Sequence, residues 1–306
     1  MTDGPLDDPR VLAALEFIPG WEGDPVVERI GTGYGFGGAV SLVRDAAGRS
    51  VVVKIEDADR TARALAALRA LGGALPANVP RLIDGWVDDG AGVLVFEHVA
   101  PAVQGDVMRP CSAPQGEALI DFLVRLHSLP PPDGVAPFES TRWERERWAD
   151  RVEVASERFP GLVGARAPWL LDGFTLDLDP ALDRMESEPA ALIHGDLHLD
   201  NVLWRPGVVP VVIDWSNAAA GPVSRDLLLL VGAGIGAEHR EAMVARYAAG
   251  VGCQVEDVAA GLDAAVHWLL RGVVGWAAIG GRVVPGSRMA AMCEHALVSI
   301  FAYLGR

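Results

Sequence analysis

A short segment between two apolar runs concentrates the residue types that carry out chemistry. His194-Gly195-Asp196 is followed by Asn201, five residues beyond Asp196, and His198 lies between them. A loop with this spacing can present an aspartate as a general base and an asparagine oxygen as a metal ligand. We therefore take Asp196 as the candidate base and Asn201 as a candidate metal ligand.

A further carboxylate stands at the end of the next apolar run. The segment Val211-Val-Ile-Asp214 is typical of a short buried strand, and Asp214 lies thirteen residues beyond Asn201. Magnesium binds oxygen ligands and keeps several waters, so one amide and one carboxylate suffice when nucleotide phosphates complete the shell. Asn201 and Asp214 therefore predict a magnesium site that works together with a nucleotide.

The lysine content of the chain is unusual. Of the 26 basic residues only Lys54 is a lysine, and it lies in the hydrophobic strand pattern of residues 50–55. Lysine is a compact point charge on a flexible stem, whereas arginine is a planar fork. The position either needs an ammonium group or holds a lysine by chance of composition.

A glycine-rich segment precedes this lysine. Its pattern, G-x-G-x-x-G-x-V, is formed by Gly33, Gly35, Gly38 and Val40. A dinucleotide-binding loop of similar spacing opens a helix, but here an alternating strand and a tight hairpin follow. The segment is therefore either a phosphate-covering loop between two strands or a glycine-rich turn that binds no ligand.

Taken together, these motifs resemble those of the aminoglycoside phosphotransferase and choline kinase families, distant relatives of the protein kinases. The resemblance rests on His194-Gly-Asp196-x-x-x-x-Asn201, on Ile213-Asp214-Trp215, and on the glycine-rich segment with Lys54. It implies an α+β, bilobal, protein-kinase-like fold. Residues 1–97 would form a small nucleotide-binding lobe built on an antiparallel sheet. Residues 98–306 would form a mainly helical lobe with the catalytic loop and the substrate site.

The resemblance also implies roles in phosphoryl transfer from ATP or GTP to a hydroxyl group. Asp196 would accept the hydroxyl proton, Asn201 and Asp214 would hold Mg²⁺, and Lys54 would bridge the α- and β-phosphates. The remaining implied nucleotide contacts are Gly33, Gly35, Gly38, Val40, Phe96 as gatekeeper, and Glu97 and Val99 as a purine-binding hinge.

Supporting roles are implied for residues around the catalytic loop. Asp226 would anchor this loop through backbone hydrogen bonds, and His194 would brace it. His198 would contact phosphate or metal-bound water, or only pack. Asp200 would tune the metal site or be solvated.

One feature departs from the family pattern. Family members pair the strand lysine with a glutamate on the following helix, but the corresponding residue here is Ala64. The partner of Lys54 is then missing or rebuilt from Glu56, Asp57 or Asp59. This leaves two interpretations, an active kinase with another lysine partner or a non-catalytic, nucleotide-binding pseudokinase.

An alternative from another class is a zinc-dependent hydrolase. His194, Asp196 and His198 form a His-x-Asp-x-His pattern, and histidine and carboxylate are zinc ligands. This interpretation leaves the asparagine, the second aspartate and the lone lysine without a role.

Charge and composition narrow the choice of partners. The chain has 41 acidic residues, a net charge of −15 and three dispersed cysteines. A chain of this charge has no broad basic surface for nucleic acid, and an anionic membrane would repel it. The acidic N-terminus is unlike a secretory signal, and we expect a cytoplasmic protein.

The acceptor is expected to be a small hydroxylated molecule. An antibiotic, which would imply a role in resistance, a choline-like amine and a sugar all fit the motifs. The acid-rich segments 144–157 and 172–188 either line a pocket for a cationic substrate or are solvated helix faces.

Several elements are predicted from periodicity and capping signals. We expect strands at 26–30, 39–43, 50–55, 81–87 and 92–96, and a helix from Asp57 or Asp59 to Leu71, stopped by Gly72-Gly73. Further helices are expected from Ser112 to Ser128, over 141–159, over 255–279 and over 288–304.

Overall fold

The computed structural model describes residues 9–15, 18, 20–31, 39–88, 90–138, 145–231, 235–279 and 283–306. The glycine-rich residues Gly33, Gly35 and Gly38 lie outside the described residues.

Strands predominate in the first third of the chain, and helices dominate the rest. The helices are α1 Pro9–Leu15, α2 Ala58–Ala74, α3 Ala113–His127, α4 Trp148–Arg158, α5 Ala167–Leu171, α6 Gly173–Ser187, α7 Ser224–Leu227, α8 Arg240–Val251, α9 Val255–Ala278 and α10 Arg288–Tyr303. The strands are β1 Val26–Gly31, β2 Ala39–Arg44, β3 Ser50–Asp57, β4 Leu82–Asp88, β5 Ala91–Glu97, β6 Val103–Gln104, β7 Ala191–Ile193, β8 Val202–Arg205, β9 Val209–Val212 and β10 Ala219–Gly221.

The chain divides into two compact units. The first contains residues up to 103 together with 132–136 and 203–218, and the second contains 104–131, 137–202 and 219–306. The first unit therefore holds Asp214 as well as Lys54, although 160 residues separate them in the sequence.

The first unit is built on a five-stranded antiparallel sheet. The strand order is β1-β2-β3-β5-β4, so the hairpin β4–β5 joins the sheet through β5. Strand β3 lies in the middle, with Lys54 opposite Val40 of β2 and Leu94 of β5. A central strand is paired on both sides, which fixes its register firmly.

The two faces of this sheet are covered differently. Val51, Val53 and Ile55 of β3 belong to a buried core that includes residues of α1. Successive side chains of a strand point to opposite faces, so Lys54 and Glu56 share the other face. Helix α2 packs with β3, β4 and β5 and buries its apolar stripe, which includes Leu65 and Leu68.

The second unit is mainly helical. The long helix α9 contacts α4, α6, α7, α8 and α10. Thirteen of its residues are buried, among them Leu262, Val266 and Leu270. The short strands β7 and β10 pair antiparallel, with Ile193 opposite Ala219. This pair supports the entry to the segment of residues 194–201, called the catalytic loop below.

Among the described residues, α9 alone is long and apolar enough to cross a membrane by length and composition. Half of its most apolar window is buried within the protein. The core helix of a globular unit meets the same criteria, so this feature is weak support for a membrane span.

Two predicted elements differ from those observed. Helix α2 runs past Gly72-Gly73 to Ala74, because Leu75 is buried and its N–H donates to the Leu71 carbonyl at 2.7 Å. Glycine weakens a helix by only about 1 kcal/mol, which such packing offsets. Within the described part of the segment 141–159, which was predicted as one helix, a 3₁₀ turn at Arg145–Arg147 precedes α4 at Trp148. Helices α5 and α6 were not predicted.

The start of α2 leads to a stability prediction. The Asp57 carboxylate accepts the N–H groups of Asp59 and Arg60 at 3.0 and 3.2 Å, so Asp57 caps the helix. Asp57→Ala should lower the free energy of unfolding by about 1 kcal/mol, measured by urea denaturation. Asp57→Asn keeps an acceptor oxygen and should stay near the parent. An equal loss for both variants would assign the effect to charge rather than to capping.

Candidate functional site

In the first unit the candidate site centres on Lys54. Its ammonium nitrogen lies 2.8 Å from Glu56 Oε2, and it donates to Asp214 Oδ1 at 2.7 Å and to Ser216 Oγ at 2.5 Å. The strand alternation places Lys54 and Glu56 on the same face, while Asp214 and Ser216 come from the segment after β9. The Lys54 ammonium group thus contacts two carboxylates and a hydroxyl.

Glu56 is the buried member of this cluster. Its side chain is 2% exposed, and the Ser216 hydroxyl lies 2.7 Å from both of its carboxylate oxygens. The same hydroxyl lies 3.0 Å from Asp214 Oδ1. A buried carboxylate is tolerated only when it is paired and hydrogen-bonded, and here Lys54 and Ser216 supply both.

The cluster answers the question of which acid replaces the helix glutamate. Glu56 pairs with Lys54, whereas Asp57 caps α2 and Ala64 is buried in that helix. The alternation of a strand, which places residues i and i+2 on one face, is the signal that would have singled out Glu56. No sequence signal pointed to Ser216.

Asp214 has an unusual backbone conformation. Its φ and ψ are 63° and 60°, in the left-handed region that aspartate tolerates better than most residues. A 3₁₀ turn at Trp215–Asn217 follows, and the buried Trp215 indole donates to the Val212 carbonyl at 2.9 Å. This tight turn leaves the Asp214 side chain 44% exposed, so part of its carboxylate remains accessible to a cation.

In the second unit the catalytic loop follows β7. The side-chain amide nitrogen of Asn201 donates to the Asp196 carbonyl at 3.0 Å and lies 3.2 Å from His198 Nε2. With the amide nitrogen engaged in this way, the Asn201 oxygen faces elsewhere, as a metal ligand requires. His198 Nδ1 is buried and has no hydrogen-bond partner among the described residues.

Asp226 of α7 anchors the start of this loop. Its buried carboxylate accepts the backbone N–H groups of His194 at 2.7 Å and of Gly195 at 2.9 Å. His127 Nε2 lies 3.3 Å away, and the other nitrogen of that ring lies 2.7 Å from the Tyr247 hydroxyl. Burial acts to raise the pKa of Asp226, but the bonds and charges of His127 and His194 outweigh it and hold this pKa below its usual value.

The other predicted nucleotide-binding residues lie in the first unit. Val40 belongs to β2, Phe96 is buried in β5, and Val99 is buried just beyond that strand. Glu97 ends β5, where its carboxylate lies 3.3 Å from Arg81 and 3.0 Å from Arg205. The purine-binding roles of these residues remain predictions.

The geometry gives no support to the zinc interpretation. Among the described residues, no three histidine, cysteine, aspartate or glutamate side chains are grouped to hold a metal ion. His194 is buried and its Nδ1 accepts the Asp196 N–H at 3.3 Å, while His198 is turned to Asn201.

The lowered pKa of Asp226 predicts a pH-dependent contribution to stability. A carboxyl group whose pKa is lower in the folded state than in the unfolded state stabilises the protein at pH values above its unfolded pKa, about 3.9. This contribution is lost as the pH falls toward the folded-state pKa. Asp226→Asn should therefore cost about 1–3 kcal/mol at pH 7, since a buried N–H loses its acceptor. The difference in the free energy of unfolding between Asp226→Asn and the parent should become smaller below about pH 4.

Urea denaturation across the pH range measures this effect. Asp183→Asn, at an exposed position on α6, is the control and should change little at any pH. If the loss in free energy of unfolding caused by Asp226→Asn stays constant down to pH 3, the ionised carboxylate is not what holds the loop.

Comparison with known proteins adds to this geometry. The model of the phosphotransferase enzyme family matches residues 26–262. Over 61 residues, which are 19% of the chain, this protein is 36% identical to an uncharacterized kinase-like protein of Caenorhabditis elegans. That match spans only 16% of the relative's length.

Solved structures resemble the whole chain. A spectinomycin phosphotransferase in complex with ADP and spectinomycin has a TM-score of 0.69 at 13% identity, with 99% of this chain and 100% of that chain covered. An amicoumacin kinase in complex with AMP-PNP, Ca²⁺ and Ami has a TM-score of 0.58 at 14% identity, with 97% and 94% covered. At these identities the likeness shows the shared α+β, protein-kinase-like fold.

The family match covers well over half of the sequence and includes the catalytic loop, Lys54 and Asp214. The predictions of the family and of the α+β fold are thereby confirmed. The chain belongs to the phosphotransferase enzyme family.

Proposed function

We propose that the chain transfers the γ-phosphate of ATP or GTP to a hydroxyl of a small molecule, with Asp196 as the base. The observation that carries this proposal is the cluster around Lys54. Glu56, Ser216 and Asp214 contact the ammonium group of this lysine within 2.8 Å and so hold it in place. The cluster supplies the ion pair that seemed to be missing from the sequence.

Lys54 acts on the nucleotide as a point charge. Because its stem is flexible, the ammonium group can exchange its bond to Asp214 for one to phosphate oxygens while Glu56 keeps it oriented. A hydrogen bond to a charged group contributes about 1.5–3 kcal/mol. Glu56 is therefore a positioning residue, and Lys54 contacts the nucleotide itself.

Asn201 and Asp214 are the residues that would hold a divalent cation. Amide and carboxylate oxygens suit Mg²⁺, and the Asn201 oxygen and the exposed part of Asp214 fit that role. When bound, Mg²⁺ supplies charge that offsets the charge of the phosphate oxygens. An amicoumacin kinase of similar fold binds Ca²⁺ with a nucleotide analogue, which supports a divalent cation here.

Asp196 orients the acceptor hydroxyl and takes its proton. The loop that carries it is pinned at His194 and Gly195 by Asp226 and at Asn201 by the Asp196 carbonyl. Such fixed placement is the main means by which phosphoryl transfer is accelerated, together with charge stabilisation.

The acceptor is proposed to be an antibiotic-like hydroxylated molecule. Structures of similar fold bind spectinomycin and Ami, and the net charge of −15 favours a cationic partner over an anionic one. The cysteines Cys111, Cys253 and Cys293 are free, which agrees with a reducing, cytoplasmic setting where nucleoside triphosphates are available.

The first test compares the parent with Asp196→Asn. Labelled ATP and GTP are offered with a panel of antibiotics, amines and sugars, and phosphorylated product is measured. With the substrate so found, Asp196→Asn should lose about 10²- to 10⁴-fold in turnover, because general-base catalysis contributes that much. Nucleotide affinity should stay within a few-fold. Full turnover in the variant would reject Asp196 as the base.

A second test separates an active kinase from a pseudokinase. Lys54→Arg keeps the charge but replaces a compact ammonium group by a larger planar fork, which does not reproduce the contacts of the ammonium group with Glu56 and Ser216. Turnover at saturating nucleotide should fall roughly ten- to a hundredfold. Arg49→Lys, at a partly exposed position in the turn between β2 and β3, is the control and should retain activity.

The pseudokinase interpretation makes the opposite prediction for Lys54. It predicts no turnover in the parent with any panel member, and only a change in nucleotide binding for the variant. If Lys54→Arg matches the parent in both binding and turnover, the lone lysine has no role in phosphate contact.

A further inference from the structure

We propose that Arg288, the first residue of α10, positions the catalytic loop through Asp200. Arg288 lies outside every motif that identified the site, and Asp200 fills an unspecified position in the motif of residues 194–201. Arg288 Nη2 donates to Asp200 Oδ2 at 2.7 Å, which joins the C-terminal helix to the residue directly before Asn201.

Both carboxylate oxygens of Asp200 and its backbone carbonyl oxygen accept hydrogen bonds. Its Oδ1 accepts the Val107 N–H at 2.7 Å, its Oδ2 accepts from Arg288, and its backbone carbonyl accepts from Gln104 Nε2 at 2.7 Å. The Asp200 side chain is only 18% exposed, so these bonds are partly shielded from water. Asp200 is thus not a solvated surface residue, and both of its carboxylate oxygens accept hydrogen bonds from the protein.

The segment that contacts Asp200 is itself packed tightly on the loop. The Gly105 N–H donates to the Val202 carbonyl at 2.8 Å. A Cβ atom at Gly105 would lie 2.4 Å from the Leu199 carbonyl oxygen, so only glycine allows this approach. Arg288 also lies 3.7 Å from Asp106 Oδ1, and it therefore joins two chain segments to α10.

Helix α10 is firm enough to serve as the fixed end of this link. Ser287 caps it by accepting the Ala290 N–H at 3.2 Å, and its buried face includes Leu297, Ile300 and Phe301. Arg288 is 41% exposed, so its substitution leaves the core of the helix intact. Because Asp200 and Asn201 are neighbours, freeing Asp200 loosens the placement of the Asn201 amide.

The test compares Arg288→Gln with Arg109→Gln by hydrogen exchange. Arg109 is a matched control, since it lies 3.5 Å from Asp106 but is 85% exposed. Arg288→Gln should speed exchange of the Asn201 and Val107 amides about three- to tenfold, the range expected for one partly shielded ion pair. Arg109→Gln should leave both at the parent rate. Parent-like exchange in Arg288→Gln, or equal acceleration in both variants, overturns the proposal.

A kinetic arm rests on the proposed function. Arg288→Gln should raise the Mg²⁺ concentration for half-maximal turnover about three- to tenfold with little change in melting temperature, and Arg288→Lys should recover part of this. Combined with Asp200→Asn, the effects should add only in part, because both changes break the same Arg288–Asp200 bond. Additive effects reject the link. A parent without Mg²⁺-dependent turnover rejects the proposed function, while hydrogen exchange still decides the role of Arg288.

Discussion

The first unit depends on how one buried carboxylate is compensated. Glu56 is almost fully buried on the central strand, where an isolated charge would be unstable. Lys54 and Ser216 satisfy it, and both also contact Asp214. The segment after β9 must therefore stay close to β3, and the left-handed conformation of Asp214 is the local strain that this placement requires.

The second unit follows the same principle with different partners. Asp226 is buried like Glu56, but its carboxylate is satisfied by backbone N–H groups and a histidine instead of a lysine. Main-chain donors fix the path of the chain more directly than side-chain donors do, because they have no rotamers to lose. A charge buried for this purpose thus sets the conformation from which Asp196 and Asn201 extend.

These two clusters bear on whether the chain is an enzyme or only a nucleotide sensor. Loss of the helix glutamate suggested a degenerate site, yet the lysine has a complete set of contacts from residues close to it in the fold. The partner has moved from the helix to the strand, two residues beyond the lysine. An ion pair between two residues of the same strand forms without any movement of α2.

The sequence by itself determined the family and much of the order of elements, and it predicted the candidate site residues. The motif around Asp196 and Asn201, the strand pattern at Lys54 and the capping box at Ser112 are local signals, and local signals survive in a single sequence. Helix ends were less certain: α2 passes two glycines because Leu75 is buried, and burial is a property of the whole unit.

Only the tertiary structure decided the partners. That Ser216 contacts Lys54 and that Arg288 holds Asp200 depend on residues 162 and 88 positions apart. Contacts of this kind are created when chain segments pack together, and no local periodicity encodes them. The physical reason is that buried charges choose their partners by proximity in the folded chain, which a linear pattern does not contain.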